Sequence, residues 1–437
     1  MPAIDFQKLK YHLLIVVGFL VLSFLFCYPQ LQGKKLYQGD YVNWQGMVHE
    51  AMAYHDSTGK DVLWTNSMFG GMPSYTISSF ANNNNYISRL QTVIEVLGKP
   101  AYFLFLAMLG FYILMRTLKV NKWLCAIGAI AYAFSTYNVE LIVGGHETKM
   151  WSLCYLPIVL AGFLMIFRGK YLQGAVLFGV PLVLLVANNH FQIMYYAIIM
   201  FVITAVVLAV IAAKEGKWGR FFIACGIAGV VGVAAASTNM ANILSTNEYA
   251  KVTMRGGQSE LSTHDKGKTS GGLDKEYAFR WSNGIGETFC MMIPYLYGGS
   301  NSEPADAAPK TADLVGSNAS TLPLYWGPQP FVGGPVYFGA VICFLFVLGL
   351  IVVRSPHKWW IAAVCLLAIV MSWGNHFEGF NYFLFDHLPM LNKFRIPSMI
   401  LVLPELLFPM LGVWAIQEII DRKETDAANL WKDVRLA

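Results

Sequence analysis

The sequence predicts an all-α polytopic membrane protein with about ten transmembrane helices and two long extracytoplasmic loops. Composition is the first reason. Of 437 residues, 56% are hydrophobic and only 13% charged, with a mean hydropathy of +0.49. Soluble domains carry about 25% charged residues. Periodic apolar runs are the second reason: ten stretches approach the roughly 20 residues needed to cross a hydrocarbon core. They cover about 12–31, 99–116, 122–138, 151–168, 171–188, 191–213, 221–240, 335–353, 358–374 and 397–417. The third reason is where the short-loop cations fall.

Lys8 and Lys10 precede the first run, which lacks a small-residue cleavage site and reads as an uncleaved helix. With ten spans, five basic groups share their side: Arg116/Lys119/Lys122, Arg168/Lys170, Lys214/Lys217/Arg220, Arg354/Lys358 and Arg422/Lys423. The positive-inside rule makes that side cytoplasmic, with both termini there. Lys34 and Lys35 lie outside, in a long loop where the rule is weaker. The excess of +5 is therefore a topology signal and does not point to nucleic acid. The chain reads as one membrane domain, 1–437, in the bacterial inner membrane. Its extracytoplasmic loops are 32–98 and 241–334, and 418–437 is a cytoplasmic segment.

The third and fifth runs are short, and their polar edges (Ser135–Asn138, Asn188–His190) predict helices ending in a wet cavity. Gly226, Gly229 and Gly232 predict a close-packing stripe on the seventh span. Trp123, Trp151, Trp359 and Trp360 fall at helix ends, as an interfacial belt requires. Arg255–Gly272 reads as a mobile loop and Ser300–Ser320 as a linker. Six of the seven cysteines lie in apolar runs and Cys290 in a polar loop, so no disulfide framework or metal cluster is expected.

Signatures of ATP-driven or zinc chemistry are missing: there is no phosphate loop, no GxGxxG and no HExxH. The polar residues of interest all fall on the predicted outer face. Asp40, in LYQGDYVNW, is placed on a glycine turn near Asn43 and Trp44. It suits a general base, or a ligand for a divalent cation shared with Glu147. A turn-capping aspartate accounts for the same spacing. His146 and Lys149 are candidate phosphate contacts, although an interfacial loop also carries solvated charge. Asn188, Asn189 and His190 suit sugar hydroxyls or helix caps. Lys393 and Arg395, cations against the inside-positive trend, suit a lipid phosphate, whether of a substrate or of ordinary lipid. Glu405, flanked by Pro404 and Pro409, is an intramembrane carboxylate and open to proton coupling or a helix-break hydrogen bond.

Six strings carry a resemblance: LYQGDYVNW (36–44), NSMFGGMPSY (66–75), GGHETKM (144–150), NNHFQIMYY (188–196), YWGPQPFVGGPVYFGA (325–340) and NKFRIPSMILV (392–402). Over nearly its whole length the chain resembles the YfhO family of bacterial membrane proteins. Members of that family are usually longer, so this chain would be a short form or a fragment. The family in turn resembles the GT-C glycosyltransferases, polytopic enzymes that use polyprenyl-phosphate sugars and place an essential acid in the first outer loop. The resemblance implies Asp40 as that acid and Glu147 as a second. It implies His146, Lys149 and Arg395 as phosphate contacts. The absence of an Asp-x-Asp pair departs from the GT-C pattern and leaves metal dependence open.

The expected function is therefore transfer of a sugar from a polyprenyl-phosphate donor to an envelope acceptor, with membrane lipids as surroundings. The alternatives are a transporter or flippase, favoured by interrupted helices and Glu405, and a non-catalytic envelope scaffold built on the two loops.

Overall fold

The computed structural model describes residues 6–77, 87, 89–256, 271–315, 320–423 and 425–435, without the side chains of 6–8. Most of the predicted mobile loop, 257–270, lies outside these residues. The chain is mostly helical, and its strands are two short antiparallel pairs. In one, Trp64 faces Pro73 and Thr65 faces Met72; in the other, Glu303 faces Leu322 and Pro304 faces Thr321. Contacts divide the chain into two units. The first comprises Met1–Ala133, Leu141–Ile198 and Ala205–Asn247; the second comprises Phe134–Glu140, Ile199–Thr204 and Glu248–Ala437.

Among the described residues, five helical segments are long and apolar enough to cross a membrane: Leu9–Phe26, Glu147–Phe167, Phe191–Glu215, Trp218–Ser237 and Pro397–Arg422. Two bent pairs, Lys122–Ala133 with Thr136–Gly144 and His357–Ser372 with Gly374–His387, bring the number to seven if each is one span. The chain is thus a multi-pass membrane protein. Three further apolar helices, Ala101–Thr117, Tyr171–Ala187 and Ala340–Val352, have 17, 17 and 13 residues. At 1.5 Å per residue these reach roughly 20–26 Å, less than a core of about 30 Å.

The spans differ in what covers them. Glu147–Phe167 and Pro397–Arg422 are each 89% buried within the protein, one at the centre of each unit. Leu9–Phe26 is only 17% buried and exposes Leu13, Leu14, Val17, Val21 and Leu25. An apolar surface of this kind belongs against lipid.

The structure corrects four expectations. The glycine turn around Asp40 is instead the start of a 20-residue helix, Gly39–Thr58. Asp40 favours that start because a carboxylate in the first turn complements the helix dipole. Gly59 stops the helix with a left-handed φ of 67°, donating its N–H to His55 O at 2.7 Å. The Ser300–Ser320 linker contains a strand and a helix, Pro309–Val315. Trp151 and Trp360 are buried at 3% and 0% exposure; only Trp123 and Trp359 fit an interfacial belt. Trp151 is buried because it stacks between Tyr102 and Tyr155, with ring centroids 4.9 and 5.9 Å away.

The fourth correction concerns glycine packing. A Cβ added at Gly226, Gly229 or Gly232 meets nothing within 4 Å. The close approaches are made elsewhere in the first unit. A Cβ at Gly162 would collide with the backbone of Leu177–Phe178, one at Gly174 would lie 2.7 Å from Ile166 N, and one at Gly110 would lie 2.7 Å from Cys154 O. These glycines let Tyr171–Ala187 and Ala101–Thr117 pack backbone-close against the central span. Gly162→Ala should therefore destabilise the protein by about 1–3 kcal/mol, whereas Gly229→Ala should leave the thermal unfolding midpoint in detergent unchanged. Equal midpoints for both variants would contradict this packing.

Candidate functional site

The site forms where Gly39–Thr58 begins and the central span of the first unit begins. Thr136–Gly144 ends in a tight reversal: His146 N–H donates to Leu141 O at 2.9 Å, and Gly145 N–H donates to Ile142 O at 3.3 Å. This is a Schellman ending, with Gly145 at φ +86° supplying the left-handed residue. Gly145 is needed for space as well. A Cβ there would come within 3.0 Å of Tyr41 N and 3.1 Å of Gln38 Cβ. Gln38, 2% exposed, fixes the approach by donating its side-chain amide to Ile142 O.

This docking places two charged pairs side by side. Asp40 Oδ2 lies 3.1 Å from His146 Nδ1. Lys99 Nζ pairs with Glu147 Oε1 and also sits 3.7 Å from the centroid of the Tyr41 ring. The Tyr41 ring lies 5.4 Å from Trp44, whose indole N–H donates to Ile77 O at 2.7 Å. Asn43 is exposed on the same helix.

The Asp40 and His146 side chains are 59% and 43% exposed. An ion pair that open contributes under about 1 kcal/mol to stability. Its geometry therefore matters for chemistry more than for the fold. Loss of hydration, then the Lys149 charge, pull His146 below the usual histidine range, while Asp40 pulls the other way. An acidic partner on Nδ1 leaves Nε2 as the position that accepts a proton.

His146 and Lys149 also act electrostatically on His190. The Asn188–His190 turn is used structurally. Asn188 donates to Gln91 Oε1 at 3.0 Å and to Leu184 O at 2.8 Å. Asn189, at φ 57°, accepts from Asn239 and Asn242 at 2.7 and 2.5 Å. His190 Nδ1 accepts from Ile193 N–H at 3.3 Å and caps Phe191–Glu215. These contacts realise the helix-cap alternative for this trio.

Lys393 and Arg395 belong to the second unit. Lys393 Nζ donates to the carbonyls of Arg255, at 2.7 Å, and Gly271. Arg395 donates to the Tyr277 hydroxyl, with its guanidinium 5.4 and 5.7 Å from the Tyr277 and Trp281 rings. Here the cations lock 392–396 onto 271–281. Glu405, 1% exposed, accepts from Ser135 through Oε1, and its Oε2 has no hydrogen-bond partner among the described residues.

A cation shared by Asp40 and Glu147 finds little support in this geometry. Glu147 is held by Lys99 and Asp40 by His146. Among the described residues no group of three His, Cys, Asp or Glu side chains could hold a metal ion.

Protein families, curated proteins and solved structures were compared with the chain, and none matches it.

Sequence reasoning missed Lys99, Gln38 and Gln91. Lys99 had a usable signal: it is a cation at the outer end of the predicted run 99–116, close to the kind of position that singled out Lys393. Gln38 and Gln91 had none, because their partners lie 104 and 97 residues away.

His190 gives a test of the local electrostatics. Burial, then repulsion from Lys149 and His146, bring its pKa down from 6.5 to about 3. Between those values the unfolded chain holds a proton that the folded chain refuses. Stability should therefore fall as pH drops through that window, by at most about 1.4 kcal/mol per pH unit. His190→Asn keeps a capping acceptor but does not titrate. Thermal midpoints of wild type and variant should converge between pH 7 and 5; a constant gap would contradict the neutral, capping imidazole.

Proposed function

We propose that the chain is a membrane glycosyltransferase that passes a sugar from a polyprenyl-phosphate donor to an envelope acceptor. In this reading all ten apolar helices cross the cytoplasmic membrane, both termini are inside, and Asp40 faces outward. The resemblance to YfhO and GT-C proteins suggests the chemistry. The observation that supports it is the Asp40–His146 pair, 3.1 Å apart beside Lys99, Glu147 and Lys149 at one end of the central span.

The pairing shifts the base from Asp40, where it was expected, to His146. Asp40 holds the Nδ1 side of the ring. The acceptor hydroxyl gives its proton to Nε2 as its oxygen bonds to the sugar C1. The bond from C1 to the phosphate oxygen breaks, and polyprenyl phosphate leaves with the electron pair. Attack opposite the leaving group inverts C1. Lys149, with Lys99, offsets the charge that develops on the phosphate. Asn43, Tyr41 and Trp44 form the adjoining surface for sugar. The step balances without a metal ion.

The test is transfer of labelled sugar from a polyprenyl-phosphate donor by the purified protein in nanodiscs. Asp40→Asn and His146→Gln should each lower transfer by about 10²–10⁴-fold. Transfer at the wild-type rate by both variants would remove the pair from the reaction.

A flippase is the second reading, favoured by the two bent helix pairs. It predicts no transfer by the same preparation, and movement of a lipid-linked sugar between vesicle leaflets.

A further inference from the structure

The first unit has a second polar site, at the other end of its central span. The helix Glu147–Phe167 has 21 residues, so Glu147 at its start and Arg168 just past its end lie about 30 Å apart, on opposite faces if the helix spans the membrane. Around the Arg168 end is an open cavity of about 520 Å³. Its rim carries Arg116, Lys119, Arg168 and Lys170, and its wall includes Val16, Leu109, Ile113 and Met165. His12 and Tyr112 sit between rim and wall, joined at 2.5 Å.

Two features of this cavity call for a ligand. The first is charge: among the described residues that line it, four are cations and none is a carboxylate. Part of that charge is held in place, since Arg168 donates to Thr117 O at 2.8 Å and Arg116 to Val120 O. The first bond pins the two turns together and the second fixes Arg116 within its own turn, which keeps like charges close, a repulsion that an anion relieves. The second feature is amphipathy. The apolar wall is continuous with Leu9–Phe26, whose Leu9, Leu13 and Val17 are exposed toward lipid. A free anion has no use for such a wall, whereas an acyl chain does.

We propose that this cavity binds the phosphate headgroup of an anionic phospholipid, on the membrane face opposite Asp40 and His146. Arg116 and Arg168 grip the phosphate as fixed forks, and Lys119 and Lys170 close over it as mobile point charges. The acyl chains run along Val16, Leu109 and Ile113. The lipid bridges the first helix to the two basic turns and so stabilises a span that is otherwise mostly exposed. This assignment is independent of the transferase reading, because it concerns the far end of the span.

The experiment uses the full chain in uncharged detergent. Thermal midpoints are measured with added phosphatidylglycerol, phosphatidylcholine or inorganic phosphate, and retained lipid is counted by native mass spectrometry. Phosphatidylglycerol should raise the midpoint and leave one lipid per chain; the zwitterionic lipid and free phosphate should not. Lys119 and Lys170 are exposed, so the double variant Lys119→Gln/Lys170→Gln should still fold and, measured against its own lipid-free midpoint, lose most of the rise. Lys214→Gln/Lys217→Gln, at a basic turn outside the cavity, should keep the rise. An equal effect of phosphatidylcholine, an equal effect of free phosphate, or a rise retained in the first double variant would each overturn the site.

Discussion

The candidate site depends on one docking contact: Gln38 reaches over Gly145 to the carbonyl of Ile142. A helix of 20 residues that buries only Val48 and Ala51 has little of its own to hold it in place. Its N-terminus is fixed because a left-handed glycine opens room for the backbone of Tyr41, and because a buried amide satisfies a carbonyl at the end of Thr136–Gly144. Both acidic residues then fall in first helical turns, Asp40 in Gly39–Thr58 and Glu147 in Glu147–Phe167. The helix dipoles favour carboxylates there, and each carboxylate meets a basic partner from elsewhere in the chain. Removing the docking would leave Asp40 in solvent and His146 without its partner.

Burial sets where chemistry can occur. Each unit has one span enclosed by protein, and each has a polar cluster at or near the N-terminal end of that span. In the first unit these residues are partly exposed and paired by charge. In the second they are consumed: Lys393 by backbone carbonyls and Arg395 by a tyrosine hydroxyl and two rings. Glu405 is sealed from solvent beside Ser135. Similar sequence signals, cations near a span, therefore lead to a partly exposed charged cluster in one place and to packing in the other. Spacing alone does not distinguish them, because the difference lies in what the remote segments supply.

This explains what the sequence made legible. Hydropathy located the apolar helices, because lipid or protein must cover an apolar surface and the signal is local. It also picked out Asp40, His146 and Glu147, since charges beside long apolar runs stand out. Hydropathy did not separate a lipid-facing tryptophan from one stacked like Trp151, or an open glycine stripe from a packed pair such as Gly162 and Gly174. Those distinctions depend on which helix lies opposite. The helix Gly39–Thr58 was missed because its glycines and polar residues read as loop; its form is secured by its ends. Lys99 stood at the outer end of a predicted run, and only its partner Glu147, 48 residues away, was beyond the reach of a local signal.

The most direct measurement is the titration of His146 by NMR in the isotopically labelled protein, compared between wild type and Asp40→Asn. A negative carboxylate at 3.1 Å favours the imidazolium, so neutralising it should lower the pKa of His146 and leave that of His190 in place. An unchanged His146 titration would mean that the two side chains do not work as a pair, and the proposed proton transfer would lose its basis.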